Sequence, residues 1–344
     1  MIRRLILVIL VALMVPEIDA CTSAVVSARA SATGRPLLWK HRDTGAKNNF
    51  LERVEATDTT YGYVGLFNGG DSLLREAWMG ANDRGFAIMN TASYNLAPDT
   101  AVVKDREGVV MALALGVCAT VDDFERLLDT LPRPMGVQAN FGVIDACGGA
   151  AYFETYDSGY RRFDAGDGLI VRTNFSMSGT AGEGYGYIRY NTASKLISGA
   201  DSITPALFTE GLSRSFYHSL TGRDYLAGEE RYVADRDFIP RDISTASIVV
   251  EGINSPDDVA ELVLWSALGY PPCAPVRRVT LEEIPEDLRP SGDGYTSPAC
   301  SEAMELRRNL APYTGGSGRS YLDVSTLRDI IERMHRASMQ EYKR

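Results

Sequence analysis

Cys21 is the residue whose position could make it do chemistry. It stands in the stretch Ile18-Asp19-Ala20-Cys21-Thr22-Ser23. A cut between Ala20 and Cys21 would give the cysteine a free α-amine of its own. Such an amine titrates near pKa ~7.7–8.0, so part of it is a neutral base at pH 7. It lies within reach of its own side chain, as a base beside a nucleophile must. A thiol so served could attack an acyl carbon, whereas a cysteine inside the chain has no such amine. Two other readings stay open on the residues alone. Cys21 could simply follow the cut, or it could be the acylated cysteine of a lipoprotein, although Asp19 in place of a small residue fits that poorly.

The residues before Cys21 supply the cut. Arg3 and Arg4 form a basic head, Leu5 to Val15 an apolar run, and Ile18 and Ala20 fill the minus-three and minus-one positions of a signal-peptidase site. The run is too short to span a bilayer as a helix. The expectation is a signal peptide over 1–20, a secreted or periplasmic mature chain over 21–344, and no membrane span after removal. Hydrophobic residues make up 45% of the 344, which suffices for a large core. The formal net charge of −10 and the pI near 5.0 argue against nucleic acid as a partner. Of the five cysteines, Cys273 and Cys300 lie in Pro-rich sequence and are the expected disulfide of an oxidising compartment, while Cys118 and Cys147 read as buried thiols. His41, His218 and His335 have no metal-ligand spacing, and the chemistry calls for no metal and no cofactor.

The elements that would position Cys21 can be read in order. Cys21–Arg29 and Leu37–Asp43 predict a hairpin around Thr33-Gly34-Arg35-Pro36, which returns Lys40, His41, Arg42 and Asp43 to the cysteine's end. Lys40 and Asp43 are three apart, so a regular strand puts them on opposite faces. Strands are expected at Tyr61–Phe67, Leu74–Met79, Gly85–Asn90, Phe141–Ala146, Ala150–Tyr156, Leu169–Asn174 and Ile243–Val250. Helices are expected within Asp105–Leu131, split at a cap on Thr120, from Ile188, over Ile203–Ser219 and Ser255–Leu268, and at 323–342 as an amphipathic C-terminal helix. Strands and helices come in blocks without strict alternation, which predicts an α+β sandwich of antiparallel sheets with helices outside. No linker divides 21–344, so a single domain is expected.

Several segments in order turn the local reading into a resemblance. They are Cys21-Thr22-Ser23, Trp39-Lys40-His41-Arg42-Asp43, Gly80-Ala81-Asn82-Asp83-Arg84-Gly85-Phe86, Thr173-Asn174, Ile188-Arg189-Tyr190 and Leu264 to Pro275. Together they resemble the cysteine-type N-terminal nucleophile hydrolases, within these the choloylglycine hydrolase and isopenicillin-N acyltransferase group. The resemblance implies a four-layer αββα fold. It implies Cys21 as nucleophile, Asp43 as partner of the α-amine, Asn82 and Asn174 as oxyanion donors, and Lys40 and Arg189 as charges near the thiol. Each has a plain alternative: a strand-end aspartate, a turn asparagine, an exposed lysine, a helix-surface arginine. The implied activity is hydrolysis of a linear, non-peptide amide through an acyl thioester, the substrate being a small acyl amide. Acyl transfer or dipeptide cleavage on the same fold stays open, as do a lipidated binding protein and a homo-oligomer.

Overall fold

The computed structural model describes residues 20–97, 100–292, 294–314 and 320–343. The leader expected over 1–20 lies outside these residues except for Ala20. β1 (Ala20–Val26) and β2 (Leu37–Asp43) form the first hairpin. β3 (Asn49–Val54), β4 (Tyr63–Asn68), β5 (Met79–Asn82), β6 (Ala87–Ala92), β7 (Ala139–Ile144), β8 (Ala150–Tyr156) and β9 (Gly159–Asp164) follow as a seven-stranded antiparallel meander. β10 (Leu169–Arg172) returns to pair with β1. β11 (Ser244–Glu251), β12 (Val263–Leu268) and β13 (Arg277–Val279) complete a six-stranded sheet of order β10-β1-β2-β11-β12-β13. β1 and β2 thus occupy inner positions.

The two sheets pack face to face, with β1 and β2 against β6, β7 and β8. α1 (Glu107–Val117) and α2 (Val121–Thr130) cover the outer face of the meander. α3 (Tyr187–Ser198), α4 (Pro298–Asn309) and α5 (Val324–Glu341) lie on the side of the six-stranded sheet. The result is the four-layer αββα arrangement. β1 and β2 are buried along their whole length, because one face meets a sheet and the other meets helices. Their sequences, ACTSAVV and LLWKHRD, therefore show no clean alternation. Gly142 leaves room for its neighbours: a Cβ there would stand 2.3 Å from the side chain of Met89 on the adjacent strand and 3.0 Å from that of Val25 in the facing sheet. Under α1 and α2, Phe124 meets Phe141 and Phe153 edge-on. Thr120 caps α2 in a reciprocal capping box with Asp123.

Five expectations need correction. Leu74–Met79 is not a strand: of its residues only Met79, the first of β5, lies in one. Ser255–Leu268 is not a helix: Pro256–Glu261 makes a short 3-10 turn, and Val263–Leu268 is β12. Its apolar run fits a buried strand as well as a helix, and pairing with β11 decides the matter. Ile203–Ser219 keeps only a short helical stretch, wound as a π-helix over Leu207–Leu212. All five cysteines are free thiols, so Cys273 and Cys300 are not joined. Both are buried, and the Cys300 thiol donates to the carbonyl of Lys47 at 3.4 Å. Cys147 is exposed beside the Gly148 turn, where Cys118 alone of that pair is buried.

Candidate active site

Register fixes which groups surround Cys21. In the first hairpin Cys21 pairs with Arg42, Ser23 with Lys40, and Ala20 with Asp43. Paired residues share a face of the sheet. Cys21, Ser23, Lys40 and Arg42 therefore point between the two sheets. Thr22, His41 and Asp43 point the other way, toward the helices. Lys40 and Asp43 do lie on opposite faces. The end of β2 reconciles them: the backbone N–H of Asp43 donates to the Cys21 sulfur, while its carboxylate stays on the helix side. A bulge in β11 between Ser244 and Ala246 faces this corner.

On the thiol side, Lys40 Nζ donates to the Trp78 carbonyl at 2.8 Å and to Asn90 Oδ1 at 2.7 Å. Arg42 donates to Asn68 Oδ1 at 2.7 Å and stacks over the Trp78 ring at 5.1 Å. Burial pushes the Cys21 pKa up, Lys40 and Arg42 pull it down, and the Asp43 carboxylate adds to the rise. The net direction is upward. The resting group is a thiol, not a thiolate, and it needs a base to become a nucleophile.

On the helix side, Arg189 binds the cysteine's own backbone. Its Nη1 donates to the Cys21 carbonyl at 2.6 Å and to Thr22 Oγ1 at 2.8 Å; Nη2 donates to Asn174 Oδ1 at 2.7 Å. Burial is the main cause that lowers the Arg189 pKa, to about 10, with Arg241 adding repulsion. It remains a cation at neutral pH. The local sequence permits this approach through Gly186, in a left-handed conformation just before α3. A Cβ there would stand 2.6 Å from the Arg189 guanidinium.

Asn174 is the second hub. Its Oδ1 accepts the Cys21 backbone N–H at 3.0 Å, and its Nδ2 donates to the Ala92 carbonyl at 2.9 Å. The Asn174 carbonyl accepts from Tyr94 and Tyr185, whose rings meet edge-on at 5.4 Å. Asn174 thus holds the very nitrogen that a cut behind Ala20 would turn into an amine. In the chain with Ala20 attached, that nitrogen is a peptide amide and no base. The primary side-chain amide of Asn174 carries two hydrogens on Nδ2, and the Ala92 contact uses one of them.

Asp43 sits among donors. Oδ1 accepts from Ser244 Oγ at 2.6 Å, and Oδ2 accepts from Arg241 Nε at 2.8 Å. His41 Nε2 lies 2.9 Å from Ser244 Oγ. Burial lowers the His41 pKa to about 4, so the ring is neutral at pH 7. A ring on the opposite face from the thiol, and so weakly basic, is not the base that Cys21 requires.

The structure brings Cys21, Lys40, Asp43, Asn174 and Arg189 into one corner. It does not bring Asn82 there. The Asn82 amide donates to the carbonyls of Leu115 and Cys118 at 2.8 Å each, and its Oδ1 accepts from the backbone of Arg84 and Phe86. All its capacity is spent on its own turn and on the end of α1, leaving nothing for an oxyanion. The turn-asparagine reading is correct for this residue. Three residues of the corner were absent from the sequence reading: Arg241, Ser244 and Asn90. Asn90 is a buried amide in the middle of a strand, a signal that sequence could have offered.

No protein-family model matches the chain, and no curated protein does. Among solved structures it is similar to a Caenorhabditis elegans ortholog of N-acylethanolamine-hydrolyzing acid amidase, with 14% identity and a TM-score of 0.44 over 67% of this chain and 92% of that one. A mutant of conjugated bile acid hydrolase from Clostridium perfringens shares 12% identity at a TM-score of 0.46, over 76% and 92% of the two chains. Penicillin V acylase from Agrobacterium tumefaciens shares 13% at 0.44, over 76% and 87%. The geometry around Cys21, and not these remote likenesses, carries the functional reading.

Proposed function

We propose that this protein is a secreted amidase that hydrolyses linear amide bonds with Cys21 as an N-terminal nucleophile. The carrying observation is the treatment of one nitrogen. Asn174 Oδ1 accepts from the Cys21 nitrogen at 3.0 Å, and Arg189 pins the carbonyl of the same residue. The elements around Cys21 are built to hold its backbone, which an ordinary buried cysteine does not need.

After cleavage behind Ala20, the α-amine takes the thiol proton as the sulfur attacks the substrate carbonyl. The new C–S bond forms and the carbonyl becomes a tetrahedral oxyanion, for which the second Nδ2 hydrogen of Asn174 is an available neutral donor. The ammonium then gives its proton to the departing amine as the C–N bond breaks, leaving an acyl thioester. Water, deprotonated by the same amine, attacks the thioester. The acid leaves and the thiol is restored. Lys40, Arg42 and Arg189 offset the negative charge that develops beside them. An amine in place of water in the last step would give acyl transfer from the same thioester. Burial of the thiol between two sheets argues against a lipid-bearing cysteine.

The test uses protein verified by mass to begin at Cys21. Cys21→Ala should retain the fold and lose turnover of an acyl p-nitroanilide that the wild type cleaves. A wild-type chain with a blocked residue left before Cys21 should be inactive too, since an amide nitrogen is no base. Full activity in either protein would sink the proposal.

A further inference from the structure

The corner contains a device that takes no part in the bond-making steps at the thiol. The turn Arg241-Asp242-Ile243-Ser244, which leads into β11 at Ser244, delivers two donors to the two oxygens of one carboxylate. Arg241 Nε lies 2.8 Å from Asp43 Oδ2, and Ser244 Oγ lies 2.6 Å from Asp43 Oδ1. The turn is tied to itself: the Arg241 N–H donates to Ser244 Oγ at 2.9 Å, and the Ser244 N–H donates to the Arg241 carbonyl at 2.9 Å. The serine has one hydrogen, and Asp43 takes it. Toward His41 the serine oxygen must accept, so His41 carries its proton on Nε2. His41 Nδ1, buried and without a partner, is then a bare lone pair. The proton pattern from His41 through Ser244 to Asp43 is fixed by the donors alone.

We propose that Arg241 and Ser244 form a positioning clamp that orients Asp43 and offsets its charge, and so sets the pH range over which Cys21 works. The proposal rests on the reading of Cys21 as an N-terminal nucleophile.

Charge is what the clamp changes. Arg241 faces Asp43 and Asp242, feels the Cys21 thiol, and repels Arg189. Asp237 acts on Arg189, and Asp235 feels Arg241. His41 contributes none at neutral pH. Burial opposes the Arg241 cation, yet Asp43 beside it raises its pKa above the ordinary arginine range. Arg241 is thus a permanent cation. Without it, the surroundings of Cys21 become more negative by one charge. The α-ammonium would hold its proton more tightly, and the thiol would give its proton up less readily. Both effects demand a higher pH for activity. They have the same sign, so they cannot cancel.

The experiment is the pH profile of kcat/KM for Arg241→Met and Arg241→Lys, in protein confirmed to begin at Cys21 and folded by circular dichroism. The substrate is the acyl p-nitroanilide cleaved by the wild type. Arg241→Met should move the acidic limb up by about one pH unit, the lower end of what an adjacent arginine does to a neighbouring group. KM should change little, because Arg241 lies on the helix side and away from the thiol face. Arg241→Lys keeps the charge and should return the limb most of the way. Should Arg241→Met fail to fold, Arg241→Lys with Ser244→Ala decides: the limb should stay near wild type in the first and move up in the second, where Asp43 loses the hydroxyl donor that offsets its charge. An acidic limb that does not move in Arg241→Met or Ser244→Ala overturns the clamp, as does a lysine variant no better than methionine. Turnover by Cys21→Ala would instead overturn the nucleophile itself, so the two failures are distinguishable.

Discussion

Replacing Asn174 by alanine tests the hub of the site through stability as well as rate. Asn174 is fully buried and makes three side-chain bonds: it accepts from the Cys21 N–H at 3.0 Å and from Arg189 Nη2 at 2.7 Å, and it donates to the Ala92 carbonyl at 2.9 Å. The truncation leaves all three partners behind, and each buried group without a partner costs about 1–3 kcal/mol. Arg189 keeps its bonds to the Cys21 carbonyl and Thr22, so its loss falls at the low end. A total of roughly 3–6 kcal/mol is expected, a large share of the ~5–15 kcal/mol that holds a typical domain together. With a urea slope of about 2 kcal/mol/M, the midpoint should fall by roughly 1.5–3 M. The assay is equilibrium urea unfolding followed by fluorescence and circular dichroism. In the folded fraction at low denaturant, kcat should fall by about 10²-fold, because the Cys21 nitrogen is no longer held against its target. A variant that unfolds at the wild-type midpoint would refute the three-bond hub. A variant with lowered stability but unchanged kcat would show that Asn174 supports the fold and not the nitrogen.

Asn82→Ala should also lose stability, since its four bonds close the β5–β6 turn onto α1. Its folded fraction should keep kcat within a few-fold, and a loss of about 10²–10³ would restore Asn82 as an oxyanion donor. His41 should make the protein acid-sensitive. Its folded pKa of about 4 lies below the unfolded value of 6.5, so the unfolded chain binds more protons between the two. Stability is full above pH 6.5, declines as pH falls, and by pH 4 has lost about 3 kcal/mol from this group. Asp235 works in the opposite sense, because burial raises its pKa to about 7 against the pull of Arg307. The difference between wild type and His41→Gln isolates the histidine: the variant should lack the decline, and identical slopes between pH 4 and 6.5 would contradict this account.

The first hairpin was legible because its turn, its β-prone flanks and its short loop all agree. β2 spans Leu37–Asp43 as expected. The opposite placement of Lys40 and Asp43 followed from strand periodicity, but the backbone N–H of Asp43 as the sulfur's partner did not. Asn174 was recognised as a site residue through resemblance, yet its main contact is with the cysteine nitrogen through Oδ1. For Asn82, a turn signal and a catalytic signal are the same letters, and the turn prevailed. β12 was hidden because a six-residue apolar run reads equally as helix. Arg241 and Ser244 could not be found in the sequence. They reach Asp43 across roughly two hundred residues of chain, and what selects them is the pairing of β2 with β11. The expected bridge between Cys273 and Cys300 failed for a similar reason: Pro-rich surroundings indicate loops, not the distance between two sulfurs.

The most direct measurement of the central claim is the mass of the protein trapped with a slowly hydrolysed acyl substrate. Quenched in acid and digested, the N-terminal peptide should begin at Cys21, carry one acyl group on the sulfur, and lose it to neutral hydroxylamine. Cys21→Ala should carry none. An acyl group on any other residue, an acylated Cys21 still joined to Ala20, or a lipid on the Cys21 amine would contradict the claim that Cys21 and its own amine form the catalytic pair.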